Sequence, residues 1–208
     1  MGVAIRRAGA DDREVVVGLL DRVFRNDPVS SWVFPDPDHR LRKHPDLMGA
    51  FADQVLAEGW IDMTEDGKSV ALWLSMPAAG DAAGDAADAH GGDDDPAAFR
   101  EAVDPANERV EQIARIMGEN HPTDRAHAYL LLIAVDADVQ GQSRGTELIS
   151  AVLERCDREG LAAYLEASSE RSRGLYERLG YVFTGRTLDL PDGPHMWPMW
   201  RDPQARTA

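Results

Sequence analysis

The sequence holds a single cysteine among 208 residues, so it forms no internal disulfide. That residue, Cys156, shares a helical apolar stripe with Leu148, Ile149, Val152 and Leu153, and burial as a small hydrophobe is expected. Basic residues are scarce, 22 Lys and Arg against 37 Asp and Glu, for a formal charge of -15. No segment concentrates positive charge on one face, which argues against a nucleic-acid partner. A cationic substrate suits the field better, although Asp81, Asp85, Asp88, Asp93, Asp94 and Asp95 gather in one linker and serve solubility equally. No apolar run is long enough to span a membrane, and the first residues lack the apolar core of a signal peptide. A soluble cytoplasmic protein with no membrane partner is therefore expected. The histidines His39, His44, His90, His121 and His195 show no ligand-like spacing with Cys, Asp or Glu, and no metal is expected.

Hydrophobic periodicity predicts one domain over residues 1–208, with strands and helices alternating as β α α β β α β α β α β β. This is an α/β (α+β) pattern with a mixed sheet. A strand at 3–6 precedes a helix from about Asp11, with Val15, Val16, Leu19, Leu20, Val23 and Phe24 on one face. A second helix is expected from about His39 to Leu56, after the proline-rich segment "NDPVSSWVFPDPDHR". Apolar runs on either side of Glu65, Asp66 and Gly67 predict a hairpin. Residues 77–95, nearly all Ala, Gly and Asp, predict a flexible acidic loop, because such composition cannot offset its ordering entropy. One helix is expected over 96–119, and "HAYLLLIAV" reads as a strand covered on both faces. The helix "RSRGLYERLG" ends at Gly180 in the position of a left-handed cap, and two strands, "YVFTGRTLDL" and "HMWPMW", close the chain.

Between an apolar strand and an amphipathic helix lies "VQGQSRGTELI", whose residues 140–145 offer little bulk and many backbone N–H groups. Such a loop is either a plain turn or a cradle for phosphate at a helix N-terminus, where unsatisfied N–H groups and the macrodipole favour an anion.

The order of elements, this loop and the later block "LYERLGY" resemble the GNAT superfamily of acyl-CoA-dependent N-acetyltransferases. The segments "FRNDPVSSWVFPD", "MTEDGKSVALWLSMP", "LEASSERSRGLYERLGY" and "LPDGPHMWPMWRDP" are similar to the branch containing puromycin N-acetyltransferase. The resemblance implies a mostly antiparallel sheet of about seven strands flanked by helices, and acetyl-CoA as co-substrate. It implies that Gln140, Gly141, Gln142, Ser143, Arg144, Gly145 and Thr146 hold the pyrophosphate. Ser143 replaces the usual first glycine; because its Cβ restricts positive φ, either it keeps an ordinary conformation or the cofactor backbone lies differently. Ile133 and Val135 would face the pantetheine arm and thioester. Ser172 stands where the branch has an asparagine that bonds the pantetheine arm.

Tyr176 matches the tyrosine that protonates the departing sulfur; its local sequence alone favours packing beside Leu175 and Leu179, and the matched "LYERLGY" context reverses that reading. Glu166, a carboxylate inside the apolar strand "AAYLEAS", is either the base for the amine or the partner of Arg171 or Arg173. Asp27 is a competing carboxylate for a cationic amine. Trp32 and Phe34 serve as an acceptor-pocket wall or as core, and His127 and Tyr129 line the same cleft or sit at the strand's outer end. The expected acceptor is a small-molecule amine, such as an antibiotic, nucleoside or amino-acid-like metabolite. A protein amine, or a degenerate domain that binds acyl-CoA or a partner without catalysis, is the alternative. A monomer or homodimer is expected.

Overall fold

The computed structural model describes residues 3–80 and 95–205. Strand β1 (Ile5–Arg7) leads through a short 3-10 turn into α1 (Arg13–Phe24), which buries Val16, Leu19 and Leu20 but leaves Val15 exposed, at the edge of the expected stripe. Helix α2 (Pro28–Val33) occupies part of the proline-rich segment. Its signal was the dipeptide Asp27-Pro28: the aspartate accepts from the Val29 N–H and the proline sits in the first turn, where its missing donor costs nothing. Helix α3 (Pro37–Glu58) is capped in the same way by Asp36.

The hairpin forms as expected, with β2 (Trp60–Thr64) and β3 (Ser69–Met76) joined through Gly67 at φ 67°. The single helix expected over 96–119 is two, α4 (Pro96–Val103) and α5 (Glu108–Asn120). Pro105 disfavours helical backbone at Asp104, and Asn107 restarts the helix by accepting from the Arg109 N–H. Strand β4 (His127–Val135), α6 (Arg144–Glu159), β5 (Ala162–Ala167) and α7 (Glu170–Arg178) follow. Gly180 has φ 90°, the left-handed conformation its position predicts. The next segment is broken into β6 (Val182–Phe183) and β7 (Leu188–Asp189) before β8 (His195–Arg201). Most of the expected Ala-, Gly- and Asp-rich loop, residues 81–94, lies outside the described residues.

The strands form a mixed, mostly antiparallel open sheet of eight, ordered β1-β2-β3-β4-β5-β8-β6 with β7 on β8. Helices cover both faces. On one, α1, α2, α3 and α5 enclose a core around Leu19, Leu20, Phe34, Val55, Ile61 and Leu72. On the other, α6 and α7 pack Leu148, Ile149, Leu153, Cys156 and Tyr176 against Trp73, Leu130 and Leu165. Each such fully buried side chain contributes about 1.5–3 kcal/mol, and Cys156 sits among them as a buried free thiol.

The topology opens one gap. The parallel ladder between β4 and β5 pairs His127–Leu130 with Ala162–Leu165 and goes no further, while β5 continues antiparallel to β8. Beyond Leu130, β4 therefore splays from its neighbour in mid-sheet, and its β5-facing backbone groups lose their ladder partners.

Candidate active site

A cleft of about 590 Å³ starts at this splay and runs across the sheet. One end is formed by Ile133, Val135 and the loop before α6. Gly141 has φ 77°, and a Cβ there would meet no atom within 4 Å. Ser143 has φ 62° and ψ 7°, so the serine takes up the left-handed conformation a glycine would supply. The ordinary conformation expected as one alternative for Ser143 is therefore not the one it adopts, and the left-handed backbone carries some strain. The N–H groups of Gly141 to Thr146 have no hydrogen-bond acceptor among the described residues. This row of free donors, at the N-terminus of a 16-residue helix, is an anion cradle with the right chemistry for a pyrophosphate.

The loop's side chains contribute less. Arg144 turns away to pair with Asp66 in the β2–β3 turn, which holds that carboxyl at about 2. Gln140 donates to the Val135 carbonyl at 3.2 Å, tying the loop to the strand end. Gln142, expected in the site, reaches back to the Asp138 carbonyl and does not line the cleft.

Mid-cleft, α7 presents Tyr176 and Ser172. Burial alone raises the Tyr176 pKa, and its ring packs edge-on against Tyr181, so the residue is both core and cleft wall. Ser172 accepts from the Ser169 N–H at 3.2 Å and donates to the Ser169 carbonyl at 2.9 Å. Its hydroxyl is thus largely spent on capping α7.

Opposite stand two carboxylates. Glu166 makes no ion pair with Arg171 or Arg173; it accepts from the Tyr129 hydroxyl at 2.8 Å, and burial pushes its pKa up to about 7. Arg173 instead pairs with Glu177 on its own helix. Asp27 accepts from the Val29 N–H at 2.8 Å and the Ser168 hydroxyl at 3.0 Å, and burial raises its pKa.

Comparisons agree with this geometry. The family model described as Acetyltransferase (GNAT) family matches residues 81–181, which contain β4, the loop, α6, β5 and α7. A Corynebacterium glutamicum structure, described as histone acetyltransferase HPA2 and related acetyltransferase, aligns over 100% of both chains at a TM-score of 0.71 and 27% identity. Over these residues, and in its overall fold, the chain is similar to GNAT acetyltransferases. It is also 38% identical to an uncharacterised N-acetyltransferase of Schizosaccharomyces pombe over 55 residues, 26% of this chain and 22% of that protein. With the mycothiol acetyltransferase of Brachybacterium faecium it shares 37% over 71 residues, 33% of this chain and 21% of that protein. The chain thus spans about a fifth of the length of the curated relatives it matches. GNAT proteins use acetyl-CoA, and the free donors of the Gly141–Thr146 cradle fit it.

Within this GNAT fold, four residues expected at the acceptor pocket lie elsewhere. Phe34 is fully buried against His39 and His44 in the core. Trp32 donates to the Pro191 carbonyl at 2.8 Å and lines a separate surface groove with Arg109 over its ring. His127, expected at a strand's outer end or in the cleft, is buried behind it, 3.0 Å from His121. Tyr129 does not line the cleft either; its contribution is the hydrogen bond that holds Glu166. The wall that sequence reasoning missed comes from α3 and α5, through Leu47, Phe51 and Met117, and from Ser30 and Ser168. Only Ser168 carried a usable signal, as the first of two serines after the strand that holds Glu166.

No helix among the described residues is long and apolar enough to cross a membrane, and no group of three or more His, Cys, Asp or Glu among them could hold a metal ion.

Proposed function

We propose that the chain is an acetyl-CoA-dependent N-acetyltransferase acting on the amine of a small molecule in the cytoplasm, as a monomer or homodimer. The observation that carries this reading is one continuous cleft joining the free N–H cradle to Tyr176 and then to Glu166 and Asp27. Gly141 to Thr146 and the splayed end of β4 would hold acetyl-CoA, which supplies an activated thioester. Asp27 attracts the ammonium. Glu166, poised near 7, accepts the proton the amine must lose, and Tyr129 keeps that carboxylate in place. Tyr176, whose raised pKa keeps it protonated, supplies the acid for the departing sulfur.

The retained left-handed turn at Ser143 supports a working loop over a degenerate one. The segments similar to the puromycin N-acetyltransferase branch support resistance to, or tailoring of, a secondary metabolite as the role. Isothermal titration with acetyl-CoA in the absence of acceptor should show micromolar binding, and an amine panel should then release thiol. Absence of acetyl-CoA binding to the folded protein would sink the reading.

A further inference from the structure

The acceptor end of the cleft is chemically one-sided. Helices α1, α2, α3 and α5 contribute Phe24, Val33, Leu47, Met48, Phe51 and Met117, and the only polar side chains these helices and their caps add are Asp27 and Ser30. Ser30 belongs to a buried chain of hydrogen bonds: its hydroxyl lies 3.0 Å from His44 Nε2, and His44 Nδ1 lies 2.8 Å from Asp21 Oδ1. Asp21 also pairs with Arg25, and its pKa is lowered despite burial, so it is an ionised acceptor. His44 Nδ1 must then carry the proton. His44 has no exposed surface, and burial lowers its pKa, which leaves Nε2 bare in the neutral ring. The Ser30 hydroxyl therefore donates inward to Nε2, and only its oxygen lone pairs remain for the cleft. Charged groups around His44 are Asp21 from α1, Arg25 at the C-cap of α1, Asp27 at the cap of α2, and Arg40 from α3.

Building on the N-acetyltransferase reading, we propose that the acceptor is an apolar monoamine, a single primary ammonium on an aromatic or aliphatic body. Its ammonium is held by two acceptors, the Asp27 carboxylate and the Ser30 oxygen, while its body fills the space between Phe24, Phe51 and Met117. Along the helix wall, a polyamine or aminoglycoside would bury further ammonium or hydroxyl groups against Phe24, Val33, Leu47, Met48, Phe51 and Met117, which offer them no acceptor; the cleft's other acceptors, Glu166 and Ser168, lie on and just after β5. A peptide would do the same with its amides.

The test is acetyl-CoA-dependent thiol release with 2-phenylethylamine and octylamine against spermidine, kanamycin and a serine-initiated peptide. The two apolar amines should lead in kcat/KM by about 30–100-fold, the gain from burying a ring or chain of that size. Ser30→Ala should raise their KM by roughly tenfold or more with a smaller effect on kcat, as loss of a charge-assisted hydrogen bond does. Met117→Ala, which deepens the apolar end, should shift preference toward bulkier amines while acetyl-CoA affinity stays unchanged. Preference for spermidine, kanamycin or the peptide overturns the proposal. If acetyl-CoA binds and no amine is turned over, the catalytic reading fails by itself. Calorimetry of 2-phenylethylamine on the CoA-loaded protein then decides the acceptor site: binding weakened by Ser30→Ala upholds it, and no binding overturns it.

Discussion

The two ends of the cleft are built on opposite principles. The cofactor end is contiguous in sequence, from Ile133 to Thr146 with α7 beside it, and it works through backbone: free N–H groups, two left-handed residues and a splayed strand. The acceptor end is collected from four helices between Phe24 and Met117 together with Glu166 and Ser168, and it works through side chains. A backbone-built site tolerates a change of side chain that keeps the dihedral angles, which is why Ser143 can stand at φ 62°. A side-chain-built site has no such freedom, because each residue is part of the surface the ligand touches.

The contrast is open to attack, most strongly at the junction of the two ends. Tyr176→Phe should lower kcat by roughly 10²–10⁴-fold, the usual value of general acid help, with acetyl-CoA affinity nearly unchanged in calorimetry. Equal losses in affinity and turnover would make Tyr176 a packing residue of the cofactor end. Next, Glu166→Gln should cut kcat by about a hundredfold. A carboxylate with its pKa near 7 must be ionised to accept a proton, so wild-type kcat/KM should rise as pH increases through 7 and flatten above. That inflection should vanish in the Gln variant; an unchanged profile would remove Glu166 as the base.

A third effect concerns the support behind the acceptor end. His121 and His127 touch through Nε2 atoms 3.0 Å apart, beside Tyr129 and Tyr164. Burial, then the neighbouring His127, lowers the His121 pKa to about 4 from its ordinary 6.5. The unfolded chain therefore binds the extra proton first as pH falls from 6.5 to 4, and stability declines across that window by at most about 3 kcal/mol. His121→Gln should flatten urea midpoints measured between pH 7 and 4.5. The smallest effect is expected at Ser143: Ser143→Val, β-branched at positive φ, should weaken acetyl-CoA binding by about 1–2 kcal/mol, while Ser143→Gly should not weaken it. A valine variant with undiminished affinity would mean that the left-handed turn is irrelevant to the cradle.

Legibility followed the same division. The β2–β3 hairpin, the strand–loop–α6 unit and the Gly180 cap depend on neighbours within a few residues, and their signals were readable. The break between α4 and α5 was also local, at Pro105 and Asn107, yet the apolar spacing on both sides masked it. Trp32 and Phe34 were aromatic residues in the right segment, but α2 turned them toward Pro191 and the core, and Ser30 toward the cleft.

By itself the sequence determined what contiguous residues decide through short-range sterics and hydrogen bonding. It carried the order of elements, the phosphate-sized loop at a helix start, and a carboxylate and a tyrosine on consecutive elements. Only the tertiary structure decided which distant side chains share the acceptor wall, that Glu166 meets Tyr129 and not an arginine, and that His44 points the Ser30 hydroxyl inward. Those outcomes depend on how helices pack across a sheet that parts after Leu130, and packing direction is a property of the whole core that no single segment encodes.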